Sequence, residues 1–447
     1  MPAKPVIDWK NPRWHALALI ASLLVMLPVV AQTVQRPAEF PFIRLDRNLL
    51  LYSQPLALEP LFQSLDRLLS RGEGQVRIVH IGDSHIQADY FTGRVRERLH
   101  QYIPGSRAGR GFIFPYRVAR TNSPPDYQVS YSGSWKRCRN IDKNSPCSLG
   151  VSGISVATTS RTAGIRIQFD PEWPVDYSFD RVRIFHSRGD RSFEPTISGV
   201  SNSRRHIDRQ LGLTEFRLAS PRDSLELRLE RTSSQQGEFV LHGISLESEG
   251  PGILYHSMGV NGADVEAYLR CEYLGEHLEV LDPGLVVISL GTNDAIATSF
   301  DRNQFLSQME SLISRVRMAV PQAAVLLTTP GDNYRRRRYL NRNNLQARQA
   351  ILKVAQLTGG TVWDFFEVMG GLGSIRQWQN SNLGQRDRIH LTRPGYSLQG
   401  DLFFEALMRA YDGHLESVEG GGRRGKAGKA AGRIRNPDSG VCSQPTA

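Results

Sequence analysis

Four short polar blocks in this chain hold the residue types that acyl transfer requires. Gly82-Asp83-Ser84-His85 places a hydroxyl directly after a β-type run, and Asp387-Arg388-Ile389-His390 is the only Asp-x-x-His in the sequence. Gly291-Thr292-Asn293-Asp294 and Gly259-Val260-Asn261-Gly262 each follow an apolar run. A hydroxyl nucleophile needs a rigid, exposed turn, an imidazole to take its proton, a carboxylate to orient that imidazole, and donors aimed at the oxyanion that forms. Ser84, His390 and Asp387 can fill the first three roles. The Asn293 amide and the backbone N–H of Gly262 can act as donors, since a glycine lets the backbone approach a reacting centre closely. Taken singly, every block is also compatible with an ordinary turn.

Strands must end at these blocks to position them. Gln75–Ile81 is a short β-type run closed by Gly82, and Ala88–Tyr102 has helical spacing, so Ser84 is predicted at a strand-to-helix turn. Comparable units recur: strand Leu285–Leu290 before helix Gln304–Met318, strand Ala324–Thr329 before helix Leu345–Leu357, strand Thr361–Phe366, and a closing helix Tyr396–Tyr411. This alternation predicts an α/β domain with a parallel sheet and active groups at the carboxyl ends of its strands. Between Asp126 and Glu249 the pattern changes to short strands, among them Gly164–Phe169, Phe179–His186, Leu225–Leu229 and Phe239–Leu246, with no good helix candidate. An all-β sandwich, jelly-roll-like, is therefore expected as an insertion, because Ser84 precedes it and the other blocks follow it.

The chain has 447 residues, 40% of them apolar and 22% charged, which suits a globular protein of more than one folding unit. Its net charge of +11 is concentrated in Arg335–Arg338 and in the tail around Arg423, Arg424, Lys426, Lys429, Arg433 and Arg435. No aromatic residues interleave with the tail cations, which argues against a nucleic-acid partner. Both charge runs read first as solvated segments and second as contacts for an anionic polymer. Lys4, Lys10 and Arg13 precede the apolar run Ala16–Ala31, the pattern of an export signal, with an uncleaved membrane anchor as the alternative. Export permits disulfides, and the closeness of Cys138 and Cys147 predicts that pair. Cys271 is expected as a buried thiol in an apolar helical pattern, and Cys442 lies in the polar tail.

In this order and context, the four blocks resemble those of the SGNH (GDSL-like) hydrolases: serine in the first, glycine in the second, asparagine in the third, aspartate with histidine in the last. The likeness spans roughly residues 78–411. It implies a flavodoxin-like three-layer α/β domain in two parts, 45–125 and 250–414, around an inserted β-module at 126–249. Residues 1–31 precede it as a signal peptide or anchor, and 420–447 follow as a disordered basic tail. The resemblance further implies Ser84 as nucleophile, His390 as general base, Asp387 as its orienter, and an oxyanion hole from Ser84, Gly262 and Asn293, with no cofactor and no metal. The family commonly has leucine after the serine, and this chain has His85.

The segments GDSH, GVNGA, LGTND, TTPGDNY and IHLT are similar to those of bacterial cell-envelope esterases that deacetylate O-acetylated peptidoglycan. Those enzymes also carry a β-sandwich of carbohydrate-binding type between the first and second blocks. The resemblance thus implies an extracytoplasmic or periplasmic O-acetylesterase whose partner is an acetylated polysaccharide, peptidoglycan foremost, with a possible inner-membrane tether and an open oligomeric state. An O-acetyltransferase on the same scaffold and a non-catalytic glycan-binding protein stand as alternatives. Asp83-Ser84-His85 also resembles the first block of metallophosphoesterases, but that reading needs further ligands, and no His-x-His occurs. Gln87 and Asp89 are expected to cap or support the following helix.

Overall fold

The computed structural model describes residues 39–54, 56–103, 105–144, 147–200, 203–420 and 432–433. The expected export segment at 1–31, Cys442 and nearly all of the expected tail lie outside the described residues. Among the described residues no helix is long and apolar enough to cross a membrane.

Five parallel strands form the centre of one sheet, in the order Gly252–Gly259, Gln75–Gly82, Leu285–Ser289, Ala324–Thr328, Thr361–Trp363. Numbered along the chain this order is 2-1-3-4-5, the flavodoxin-like arrangement, in which the chain reverses direction across the sheet after its first strand. Right-handed crossovers on either side of that reversal place helices on opposite faces. Tyr90–Tyr102 and Arg393–Gly420 pack together in one layer with Glu59–Arg71, whose Phe62 meets Tyr411 at 5.6 Å. Val265–Leu269, Leu274–Leu281, Arg302–Ala319 and Asn343–Thr358 form the other layer. The strands are buried on both faces, so Leu285–Ser289 and Ala324–Thr328 read as continuous apolar runs. Leu50–Tyr52 closes the far edge antiparallel to Thr361–Trp363, with Gly432–Arg433 alongside.

The β-module has two antiparallel sheets sharing one apolar core. One holds Arg204–Asp208, Leu213–Arg222, Phe179–His186, Phe239–Glu247, Ile154–Thr158 and Lys136–Arg139; the other holds Tyr127–Ser132, Thr162–Phe169, Ser224–Glu230 and Pro195–Ile197. The four strands anticipated for this region are all present; Thr162–Phe169 and Ser224–Glu230 alternate as half-buried strands do, whereas Phe179–His186 and Phe239–Glu247 are buried along most of their length. A fifth feature was not legible: Gly109–Ile113, upstream of residue 126, pairs with Phe239–Glu247 and so ties the α/β layer to the module. Cys138 and Cys147 form a disulfide, with Cα atoms 6.4 Å apart. Cys271 is buried and free, between two short helices and not within one, and burial pushes its thiol up to about 12.

A buried ionic cluster spans the same junction. Asp89 occupies the N-cap position of Tyr90–Tyr102, yet its carboxylate caps no backbone N–H. It accepts from Arg96 Nη1 at 3.0 Å, Arg110 Nη2 at 2.6 Å and Ser257 Oγ at 2.8 Å. Arg110 Nε in turn donates to Asp126 at 2.7 Å. Arg96 meets Asp89 at the start of its own helix, but the fully buried Arg110 finds its counter-charges only when the start of helix Tyr90–Tyr102, the strand Gly109–Ile113 and the start of the module come together.

Candidate active site

Ser84 begins a one-turn helix, Ser84–Gln87, immediately after the first strand of the sheet. Asp83 caps it by accepting the His85 N–H at 3.0 Å. Glycines allow the neighbouring chains to close on this turn. A Cβ on Gly82 would meet Ile86 Cγ1 at 2.4 Å and the Ser289 carbonyl at 2.6 Å, and one on Gly259 would lie 2.3 Å from the Gln87 nitrogen. Since strands Gln75–Gly82 and Leu285–Ser289 flank the reversal point, the Ser84 and Asn293 blocks open into the same crevice.

The loop before the last helix brings the expected partners to Ser84. His390 Nε2 lies 2.8 Å from Ser84 Oγ, and His390 Nδ1 lies 2.7 Å from Asp387 Oδ2. The other carboxylate oxygen, Oδ1, accepts the backbone N–H groups of Ile389 at 2.9 Å and His390 at 3.0 Å. Partial burial alone would raise the Asp387 carboxyl, but the His390 and backbone hydrogen bonds hold it down to about 2. The hydrogen bond that His390 Nδ1 donates to Asp387 raises the His390 pKa above its ordinary value, against the opposing effect of burial. With Nδ1 protonated toward Asp387, the lone pair of Nε2 faces the serine, which is the tautomer a general base needs.

The donor side is also assembled. Gly262 has φ +84°, a conformation that suits glycine, and among the described residues neither its N–H nor that of Ser84 meets an acceptor. Asn293 Nδ2 donates to the Ala263 carbonyl at 2.9 Å, one residue from Gly262, and stands 3.4 Å from Asp83. That bond orients the amide beside the Gly262 loop. The arrangement can attack a carbonyl with Ser84 Oγ and surround the developing oxyanion with N–H groups.

Gln87 is a residue whose part sequence spacing did not reveal. Its Oε1 accepts the Asn261 N–H at 2.8 Å while Nε2 donates to Thr121 Oγ1 at 2.9 Å and Asn122 Oδ1 at 2.8 Å. It fastens the loop before Gly262 to the nucleophile helix, and the only signal was its place three residues after Ser84. Asp294 does similar work: its Oδ1 accepts the Val265 N–H at 3.2 Å, and burial pushes its carboxyl up to about 7. The His85 ring lies 5.1 Å from that of His390, with Nδ1 2.9 Å from Tyr396 Oη, and burial foremost pushes its pKa down to about 3. Asp83 and His85 thus do not converge as a ligand pair, and no group of three or more metal-ligating side chains occurs among the described residues.

The 2-1-3-4-5 sheet carries a serine–histidine–aspartate chain at its reversal point, an arrangement suited to acyl transfer. Residues 244–398 match the GDSL-like lipase/acylhydrolase family. The matched range begins within the last strand of the β-module, Phe239–Glu247, so the module separates the Ser84 block from the rest. A solved peptidoglycan O-acetylesterase superposes with a TM-score of 0.68 at 19% identity, covering 81% of this chain and 99% of that one, so the shared fold includes the module. A lipase/acylhydrolase from Enterococcus faecalis (21% identity, 36% of this chain, 76% of that one) and the acetylxylan esterase Axe2 from Geobacillus stearothermophilus (20%, 35% and 73%) each give a TM-score of 0.28. No curated protein matches the sequence.

Proposed function

We propose that this chain is an exported esterase that removes O-acetyl groups from a cell-envelope polysaccharide, peptidoglycan foremost, through an acyl-enzyme on Ser84. The observation that carries the mechanism is the hydrogen-bonded chain Ser84–His390–Asp387 beside the free N–H groups of Ser84 and Gly262. His390 takes the serine proton as Oγ adds to the acetyl carbonyl, and the N–H groups of Ser84 and Gly262 with the Asn293 amide receive the oxyanion. Collapse expels the sugar alkoxide, which His390 protonates. Water then attacks the acetyl-serine with His390 again as base, releasing acetate.

The polysaccharide reading is supported by the fold shared, module included, with a peptidoglycan O-acetylesterase. Export is supported by the basic-flanked apolar run Ala16–Ala31 and by the Cys138–Cys147 disulfide, a bond that persists in oxidising compartments. The test is acetate release from O-acetylated peptidoglycan, acetylated xylan and a small chromogenic acetate ester, by wild type and Ser84→Ala. Wild type should prefer peptidoglycan, and Ser84→Ala should lose turnover on all three while keeping its circular dichroism spectrum. Equal rates on all three substrates would remove the peptidoglycan assignment, and unchanged turnover by Ser84→Ala would remove the nucleophile.

A further inference from the structure

We propose that the hairpin Tyr334–Leu340, with Arg386 and Arg388 of the loop carrying Asp387 and His390, is a subsite for the anionic groups of a polymeric glycan substrate. The inference deepens the proposed function and rests on its reading of the substrate as a glycan. Tyr334–Arg335 and Tyr339–Leu340 are the hairpin strands, and the Arg338 N–H donates to the Arg335 carbonyl at 3.1 Å across the turn.

The two central residues of that turn, Arg336 and Arg337, have φ of +48° and +62°. Turns with positive φ at both central positions favour Asn-Gly or Asp-Gly, because a Cβ is crowded there. An Arg-Arg pair brings strain without the side-chain-to-turn hydrogen bond by which Asn or Asp offsets it. Backbone strain of this kind concentrates where side chains must be displayed for a ligand. Arg336, Arg337 and Arg338 are exposed, and the neighbouring Tyr339 ring, 63% exposed, offers a flat apolar face of the kind that stacks on a sugar.

These cations also lack counter-charges. Among the described residues, Arg335–Arg338, Arg386 and Arg388 form no ion pair, whereas Arg44, Arg139, Arg217 and Arg228, also at the surface, each hold a carboxylate. Of the nearest acids along the chain, Asp387 is engaged by His390 and two backbone N–H groups, and Asp332, three residues before Arg335, is buried and accepts the Ile375 N–H at 3.1 Å. Six guanidinium groups without a carboxylate partner make a local positive field; Arg388 is spent on Gln379 and the Arg337 carbonyl, and the other five present paired donors that fit carboxylate or phosphate oxygens.

The hairpin is bolted to the catalytic loop. The Tyr334 N–H donates to the Arg388 carbonyl at 2.9 Å, Arg388 Nη1 donates to the Arg337 carbonyl at 2.9 Å, and the guanidinium lies 5.2 Å from the Tyr334 ring centroid. Arg388 itself sits at φ +57°, between Asp387 and His390. A polymer held by its charges at the hairpin would therefore pass beside the Ser84–His390 pair, and a substrate repeat bearing a carboxylate or a phosphate near its acetyl ester would be favoured over a neutral one.

The test measures anisotropy of fluorescein-labelled oligogalacturonate with the full chain, competed by unlabelled oligogalacturonate, by polyphosphate and by a neutral cello-oligosaccharide. The proteins compared are wild type, R335Q/R336Q/R337Q/R338Q, and R336N/R337G. Wild type should bind with an affinity that falls as salt rises, and the quadruple variant about tenfold or more weaker. The stronger competitor of the two polyanions identifies which anion the subsite takes, and the neutral oligomer should compete with neither. R336N/R337G should bind more weakly and melt at a higher temperature, because it relieves the turn. Equal affinity of wild type and the quadruple variant, no binding by wild type, or a lower melting temperature for R336N/R337G would overturn the proposal. Acetate release from O-acetylated peptidoglycan is scored in parallel. If the oligomer binds wild type and not the quadruple variant, but no acetate is released, the subsite stands and the peptidoglycan reading falls.

Discussion

Replacing Asp387 by Asn isolates the electrostatic role of one atom. Oδ2 stands 2.7 Å from His390 Nδ1, and Oδ1 accepts two backbone N–H groups that shape the loop. An asparagine keeps Oδ1 and those two bonds but presents an NH2 group to Nδ1. The ring must then accept at Nδ1 and carry its proton on Nε2, 2.8 Å from Ser84 Oγ, where a lone pair is needed. Loss of the correct tautomer in a triad lowers kcat about 10⁴-fold, roughly 5 kcal/mol of barrier. The pH profile gives a second reading. His390 acts as base only when neutral, and the Asp387 hydrogen bond is the largest cause raising its pKa. Wild-type kcat/KM should rise with pH to a plateau reached above the ordinary histidine range. Without the carboxylate the acidic limb of the residual activity should move to lower pH. Initial rates on a chromogenic acetate ester from pH 4 to 9 check both points. Turnover within tenfold of wild type, or a limb displaced to higher pH, would refute the assignment of Asp387 as orienter.

Asn293→Ala should lower kcat about 10²- to 10³-fold with a smaller change in KM, since the proposed mechanism turns the Nδ2 hydrogen now 3.4 Å from Asp83 to the oxyanion; steady-state kinetics on the same ester decide it. Asp89→Asn leaves the buried Arg96 and Arg110 short of their shared carboxylate and should destabilise the fold by about 3–5 kcal/mol, read from the urea midpoint; a midpoint equal to wild type would contradict the account of the junction. Ser84→Ala, scored against three substrates, tests the nucleophile itself.

Much of the site was legible because acyl transfer constrains residue type and local turn together. A strand closed by Gly-Asp-Ser-His, a strand closed by Gly-Thr-Asn-Asp, and a lone Asp-x-x-His before a closing helix are short-range patterns, and period-2 and period-3.6 spacing identify the elements around them. The break from alternation at residue 126 likewise marked an inserted β-module. Sequence by itself therefore determined which residues end which strands, and hence the candidate chemistry.

Tertiary structure decided what no local pattern encodes, namely which distant segments touch. Pairing of Gln75–Gly82 with both Gly252–Gly259 and Leu285–Ser289 places Ser84, Gly262 and Asn293 around one crevice. Gly109–Ile113 reads as an isolated glycine-rich run until Phe239–Glu247 supplies its hydrogen bonds, from a strand far along the chain. Gln87 and Asp89, expected to support a helix, find partners in the Asn261 loop and in Arg110, and Arg388 meets the Arg337 carbonyl only because hairpin and catalytic loop converge. Hydrogen-bonding and charge pairing depend on three-dimensional proximity, which periodicity along a chain does not specify.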